Sequence, residues 1–581
     1  MKYLFIFMIA VLSVSCKKAL DLHPLDSLTP DQAFSTEANL QLYTNSFYNS
    51  GIPGGTATFT GDATSDIQSQ NLVSNYLNGV FTSQQGTGWD WGTLRNINYF
   101  LENYNQAPIS QDKKNHYAGI ARFFRAWFYF EKVKNFNNVP WYNKTLKVDD
   151  PDIYKTQDPR TLVMDSVLAD ITFASTYINN TKDATSSTVT RAVALALKSR
   201  ICLYEGTYRK YHTELGLTAS ANAWLQNAAD AASAVMTGGQ YSVYSTNSPD
   251  KDYRALFLSQ APVAAEVMLA NTFSETLKRY HDANWTFTSA TYGGNISFTK
   301  RFINTYLNID GTRYTDNPAY NTTEFKTEVK NRDKRLYQTI RAAPYKRADG
   351  SAAPPDFGQA FTGYQELKFT TDDKSIDTKA ANFNSIPIIR YAEVLLNYAE
   401  AKAELGTFTP TDWANTIALL RKRGGITNLA MPATVDAYMS TNFFADVTSP
   451  ALMEIRRERG IELCSENFRY DDLMRWKQGK LLEKEFDGIY VPAMNTVYDL
   501  NEDGTPDVSF VSAIPATKVA GVVYVVINNT TTKLSNGTSG RVIWRANLVK
   551  TFQDYKYLKP IPYNELVLNK NLVQNPVWDK P

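Results

Sequence analysis

The chain has 581 residues, 60 Lys and Arg against 58 Asp and Glu, and a formal net charge of +2. That balance, without any basic block or stripe, excludes a nucleic-acid binder that works by charge. Three Cys exclude a disulfide framework, and the scattered His23, His116, His212 and His281 have no zinc-ligand spacing.

The first predicted element is a leader. Lys2 precedes the apolar run Leu4 to Leu12, and Ser13-Val14-Ser15-Cys16 follows it. The run is too short for a permanent membrane span, and small residues flank a cleavage point. A Cys directly after that point marks a bacterial lipoprotein signal. Residues 1–15 are expected to be removed and Cys16 to carry lipid. No later run is long enough to cross a bilayer, so the lipid is the one expected anchor of a soluble body outside the cytoplasm. Several acyl chains on one Cys make such an anchor stable, at roughly 0.8 kcal/mol per buried methylene. A cell-surface orientation is expected. Lys17 and Lys18 stand where an acidic cluster would argue for it, which keeps a periplasm-facing orientation open.

Residues 16–30 read as a polar tether with Pro24 and Pro30. A helix is expected from Asp31, with Leu40, Tyr43 and Phe47 on one stripe. Residues 51–88, rich in Gly, Ser, Thr and Asn, read as a long ordered loop. A helix restarts near Trp91 and runs through Leu94, Ile97, Asn98 and Leu101. The strongest pattern is 110–136, where Tyr117, Ile120, Ala121, Phe124, Trp127 and Phe128 keep helical spacing. Further helices are expected from Pro159 to Ile178, from Thr190 past Leu203, and from Trp224 to Met236, stopped by Gly238-Gly239. Another covers Arg390 to Ala401, stops at Gly406, and has a partner from Trp413 to Arg423. Ser449-Pro450 supplies an N-cap and a Pro at the first helical position of a helix reaching Lys477, with a break near Ser465-Glu466-Asn467. Paired helices with Ala at close approaches are the mark of a tetratricopeptide-like stack. Residues 240–385 and 485–550 read as irregular blocks. In the second, Val522 to Ile527 is a predicted strand joined through Asn536-Gly537 to Val542-Ile543-Trp544. Cys202 and Cys464 read as buried free thiols.

Several separated segments then match one family. Arg122-Phe123-Phe124-Arg125-Ala126-Trp127-Phe128-Tyr129 precedes Val139-Pro140. Arg390-Tyr391-Ala392-Glu393-Val394-Leu395-Leu396-Asn397-Tyr398-Ala399-Glu400-Ala401 follows later. Glu458-Arg459-Gly460-Ile461-Glu462-Leu463 leads to Arg469, Asp472 and Arg475-Trp476. The tail carries Pro560-Ile561-Pro562-Tyr563 and Asn575-Pro576-Val577-Trp578. With these motifs the chain resembles the SusD/RagB family of outer-membrane nutrient-binding lipoproteins. Asn137-Asn138 and Val577 stand where Gly is usual. The resemblance implies a mainly α SusD-like fold, with tetratricopeptide-like helix pairs as scaffold, long irregular loops and a small β element. Its expected division is 31–240, then 241–581 with an insertion at 485–550. It also implies capture of a glycan and delivery to a SusC-like TonB-dependent transporter, without catalysis. No nucleophile elbow, zinc-protease helix, phosphate loop or dinucleotide fingerprint is present. A protein-interaction scaffold, a peptide-binding lid and a surface glycoside hydrolase are the rival readings. The motif Arg and Glu residues are expected to bridge helices rather than touch ligand.

By the same resemblance Trp91 is the expected sugar-stacking residue. Trp89 is its alternative, Asn96 a hydrogen-bonding partner, and Asn98 the structural Asn. Trp285, Tyr292, Tyr314 and Tyr320 fall in the region that supplies further ligand aromatics. From spacing alone, Asp499-Leu500-Asn501-Glu502-Asp503-Gly504-Thr505-Pro506-Asp507 is a candidate calcium loop. Asp499, Asn501, Asp503 and Asp507 are its oxygen ligands, and Phe510 stands where the bidentate Glu would be.

Overall fold

The computed structural model describes residues 33–71, 73–291 and 293–578. The signal, the tether, Cys16 and Tyr292 lie outside the described residues. The chain is mainly helical, with small separate sheets.

The scaffold is a stack of antiparallel helices. α1 is Glu37–Ser46, α2 Gly92–Asn103, α3 Gln111–Phe136, α4 Arg160–Tyr177, α5 Arg191–Tyr211 and α6 Ala221–Thr237. α3 packs on α4 and α5 on α6, as the apolar spacing predicts. Ser110 and Thr190 cap α3 and α5 by accepting from the N–H of Lys113 and Val193. Two glycines inside the helices allow close approaches. A Cβ on Gly119 of α3 would lie 2.8 Å from Ile178 Cγ1, and one on Gly206 of α5 would lie 2.8 Å from Leu225 Cγ. Ala228, Ala229 and Ala232 of α6 are buried in the same core as Trp127 and Leu197.

The second helical block contains α7 (Tyr391–Glu404), α8 (Ile417–Arg423), α9 (Pro450–Glu462) and α10 (Arg469–Arg475). α7 packs on α5, α6 and α9, joining the two blocks through one core. The expected helix Trp413–Arg423 is broken. Pro410–Ala414 and α8 are separate because Thr416 leaves helical geometry, with φ −132° and ψ −87°. The expected break after α9 is present, with Ser465 (φ 60°) and Asn467 (φ 66°) turning the chain into α10.

A buried ion lattice locks this block. Arg390 reaches Glu266 (2.9 Å), Glu462 (2.6 Å) and Glu466 (2.7 Å). Arg423 pairs with Glu266 and Glu462. Arg335 pairs with Asp333, Glu458 and Glu462. Arg475 pairs with Glu400 and Asp472. These side chains are nearly all inaccessible, so the motif Arg and Glu residues are helix-bridging scaffold. Burial alone would raise Glu462, but Arg423, Arg390 and Arg335 hold it well below the usual carboxylate range. A second polar node lies nearby. Glu366 Oε2 accepts from Gln68 Nε2 (3.1 Å) and Ser465 Oγ (2.7 Å), and Asp62 accepts from the N–H of Ser465 and Arg469.

Besides the short antiparallel pair Gln68–Ser69 and Ser297–Phe298, the strands are β1 (Val267–Asn271), β2 (Ile386–Arg390), β3 (Phe486–Val491), β4 (Val497–Tyr498), β5 (Val508–Val511), β6 (Val523–Val526), β7 (Thr532–Leu534) and β8 (Gly540–Trp544). β1 and β2 pair antiparallel, and β2 feeds directly into α7. β8 lies between β3 and β7, antiparallel to both. β6 runs parallel to β5, so the expected pairing of 522–527 with 542–544 is wrong. The Asn536-Gly537 turn joins β7 to β8 instead. Residues 51–88 are not all loop as expected, for they hold the short helices Gly55–Thr60 and Asn75–Asn78. Cys202 and Cys464 are buried free thiols.

Candidate functional site

The residues around Trp91 form a cleft of about 440 Å³. Trp91 stands at the N-cap position of α2, half-buried, with its side chain free of capping duty. Asp90 does that work, its Oδ1 accepting from Gly92 N–H at 3.1 Å. Trp89, largely buried, meets Trp91 edge-on at 5.5 Å and Phe136 at 4.9 Å. Trp89 is thus the packing partner that sets the angle of Trp91. On the other side Tyr142 meets Trp91 edge-on at 5.6 Å.

Lys132 of α3 fixes this turn from below. Its ammonium donates to the carbonyls of Gly88 (2.5 Å) and Asp90 (2.6 Å) and sits 5.1 Å from the Trp91 ring centre. Burial lowers its pKa to about 8. Asn98 is the structural Asn that the resemblance implies. Its Nδ2 donates to the carbonyls of Tyr142 (2.9 Å) and Lys144 (3.2 Å), while its Oδ1 accepts from Arg125. Arg125 is in turn clamped by Asp170 of α4 at 2.6 Å. One line of hydrogen bonds therefore runs from α4 through α3 and α2 to the loop that carries Tyr142.

Asn96 faces the other way. Its Oδ1 accepts from Tyr43 OH (2.7 Å), and its Nδ2 donates to Ser46 Oγ (3.4 Å). It ties α2 to α1 and does not line the cleft. The far wall, which sequence reasoning missed, comes from Leu146 to Val148, Ile153, Glu565, Asn569 and Leu572. Asn569 Nδ2 donates to Lys155 O at 3.0 Å, drawing the C-terminal segment onto this loop. Val148 is 98% exposed at the rim. Arg95 and Lys147 give the rim a basic bias against Glu565, while Lys144 is held by Asp150 (3.1 Å) and Asp152 (2.8 Å).

The second aromatic set has separate supports. Tyr314 is buried beneath Arg332, whose guanidinium lies 3.6 Å from its ring centre, so the expectation that it meets ligand is corrected to packing. Tyr320 is half-buried edge-on against Tyr438 at 5.6 Å. Trp285 is half-buried on the helix Ala283–Thr288.

The candidate calcium loop is closed by its own backbone. Asp499 accepts from the N–H of Asn501, Glu502 and Gly504, and Asp503 from Thr505 N–H and Asn501 Nδ2. Asp507 accepts from Leu500 N–H at 2.7 Å. Among the described residues, no three Asp, Glu, His or Cys converge in a geometry that holds a metal.

The profile described as SusD family matches residues 265–578, just over half of the chain. The chain belongs to the SusD family. A second profile, described as starch-binding and associating with the outer membrane, matches residues 18–203. SusD-like protein P2 of Formosa agariphila is 24% identical over 225 residues, 36% of this SusD family chain and 44% of that relative. The chain thus matches less than half the length of that relative. A SusD-like protein from Bacteroides fragilis NCTC 9343 superposes with a TM-score of 0.68 at 20% identity, covering 96% of this chain and all of the other. A SusD-like carbohydrate binding protein from the same organism gives a TM-score of 0.69 at 20% identity, covering 93% and 99%. These likenesses establish the SusD-like fold across nearly the whole chain.

Proposed function

We propose that this SusD family chain is a non-catalytic glycan-binding lipoprotein of the outer membrane. It captures an oligosaccharide or polysaccharide in the Trp91 cleft and passes it to a TonB-dependent transporter. Lipid on Cys16 anchors it, with the binding face toward the cell exterior. The observation that carries this reading is the half-buried Trp91, freed from capping and braced by Trp89, Tyr142 and Lys132 on the wall of an open cleft. A flat ring held at such an edge suits the apolar face of a sugar, and Arg95 and Lys147 provide donors for its hydroxyls. Family membership and the starch-binding, outer-membrane description of the N-terminal profile support the same reading.

Retention of the folded protein in gels containing plant, host or microbial polysaccharides tests it. One glycan class retards the native chain, and Trp91→Ala loses most of that retardation while keeping its circular dichroism. Equal retardation of both forms refutes the site, and release of reducing sugar refutes the non-catalytic reading. Co-purification with a TonB-dependent barrel tests the transporter.

A further inference from the structure

Arg341 is a buried cation without a polar partner. Its backbone N–H donates to Gln365 O (2.9 Å), and only 6% of the residue is exposed. Its guanidinium makes no ion pair and no hydrogen bond among the described residues, and its Nε is inaccessible. Burial, with Arg347 beside it, holds its pKa below the ordinary guanidinium value against the pull of Tyr345, Asp377 and Asp356.

The acids around it are already spent. Arg254 pairs with Asp372 (2.7 Å). Arg347 reaches both oxygens of Asp377 (2.7 Å), which also accepts from Asn284 Nδ2 (2.7 Å). Asp356 turns its carboxylate to Gly358 N–H (2.7 Å) and Gln359 Nε2 (2.9 Å), with no ion pair to Arg341. The Tyr345 ring centre lies 5.4 Å from the Arg254 guanidinium and 6.0 Å from that of Arg341. Three carboxylates thus balance three guanidiniums, yet donors remain over. Besides Arg341, the Nε of Arg347, Ser351 Oγ and Thr371 Oγ1 are buried without a hydrogen-bond partner among the described residues. The backbone gathers them. Arg347 N–H donates to Ser351 O (3.0 Å), and Ala348 N–H donates to Asp372 O (2.9 Å), which brings Thr371 alongside. Buried polar groups are normally satisfied, so a cluster of unpaired donors marks the place of a missing acceptor.

We propose that Arg341, with Ser351 and Thr371, forms a binding site for a singly charged oxyanion, the sulfate ester or carboxylate of an acidic ligand. A guanidinium offers such a group two parallel N–H bonds, and charge-assisted bonds of this kind are roughly twice as strong as neutral ones. The two hydroxyls supply further donors. None of these residues lines the Trp91 cleft, so the proposal is independent of that reading.

Isothermal titration of the folded chain with methyl sulfate and with acetate tests it, against chloride at constant ionic strength. At least one probe binds tenfold or more tightly than chloride, and the tighter of the two names the group. Arg341→Met weakens that binding tenfold or more, and Ser351→Ala and Thr371→Val each weaken it severalfold. Thermal melting separates a binding role from a structural one. Without probe, Arg341→Met melts no lower than the native chain, because no ion pair is broken, and the probe raises the melting temperature of the native chain alone. Probes that bind no better than chloride overturn the proposal. So does an Arg341→Met protein that keeps its probe affinity, or one that melts lower without probe, since Arg341 would then be a structural cation.

Discussion

Glu366 should make this protein lose stability as the solution becomes more alkaline. Burial is the main cause of a pKa raised from 4.5 to about 8, although Ser465 and Lys368 oppose it. Its Oε1 and the Oε1 of Gln68 are both buried acceptors without a donor among the described residues, so a proton at this node removes a charge and supplies a donor. The folded chain therefore keeps a proton that the unfolded chain releases above pH 4.5. The contribution of Glu366 to stability is fully present below that value, falls between pH 4.5 and about 8, and flattens above it. At ~1.4 kcal/mol per pH unit, the loss is about 1 kcal/mol at pH 5 and about 4 kcal/mol at pH 8. Glu366→Gln keeps the acceptor for Gln68 and Ser465 and cannot ionise. Urea unfolding followed by tryptophan fluorescence, from pH 5 to pH 8.5, should show the variant gaining about 4 kcal/mol on the native protein across that span. Asp62, raised to about 7 by the same burial, adds a slope of the same sign in the native protein, and its interaction with Glu366 is removed in the variant. Parallel stability curves would refute the reasoning, because they would mean that Glu366 is ionised in the folded state.

Glu462→Gln weakens the neutralisation of Arg335, Arg390 and Arg423 and should cost about 3–5 kcal/mol in urea unfolding, the range for breaking buried pairs; a loss below ~1 kcal/mol would contradict the lattice. Gly206→Val drives side-chain atoms into Leu225 and should cost about 1–3 kcal/mol, read as a lower melting temperature. Lys132→Met releases the carbonyls of Gly88 and Asp90, so polysaccharide retention should fall severalfold without unfolding; full retention would show that the turn holds Trp91 unaided. If calcium occupies the Asp499–Asp507 loop, it raises the melting temperature, and both chelator and Asp503→Asn abolish the rise; identical melting curves would remove calcium from the account.

Some elements were legible because local physics settles them. Residues 110–136 carry seven turns of one apolar stripe behind a Ser cap, and the helix is Gln111–Phe136. Ser465 and Asn467 reported the break after α9 because small polar residues tolerate positive φ. Strand partnership was not legible. Alternating residues at 522–527 declare a strand, but nothing in them distinguishes parallel pairing with β5 from a hairpin to β8. The short helices within 51–88 have too few turns to establish a period. Trp91 was found through motif resemblance, whereas Asn96 was misplaced because adjacent faces of α2 look alike until Tyr43 is positioned.

The bond between Asn569 and Lys155 spans 414 positions. A chain emerging N-terminus first completes its helix stack long before this wall of the Trp91 cleft exists. Ligand competence is therefore a finishing step of synthesis. Cleavage before residue 560 would yield a polypeptide that keeps the Arg–Glu lattice and its spectroscopic signature of folding but has an open-sided cleft. On the proposed reading, trimmed copies would still be anchored through Cys16 while capturing no ligand.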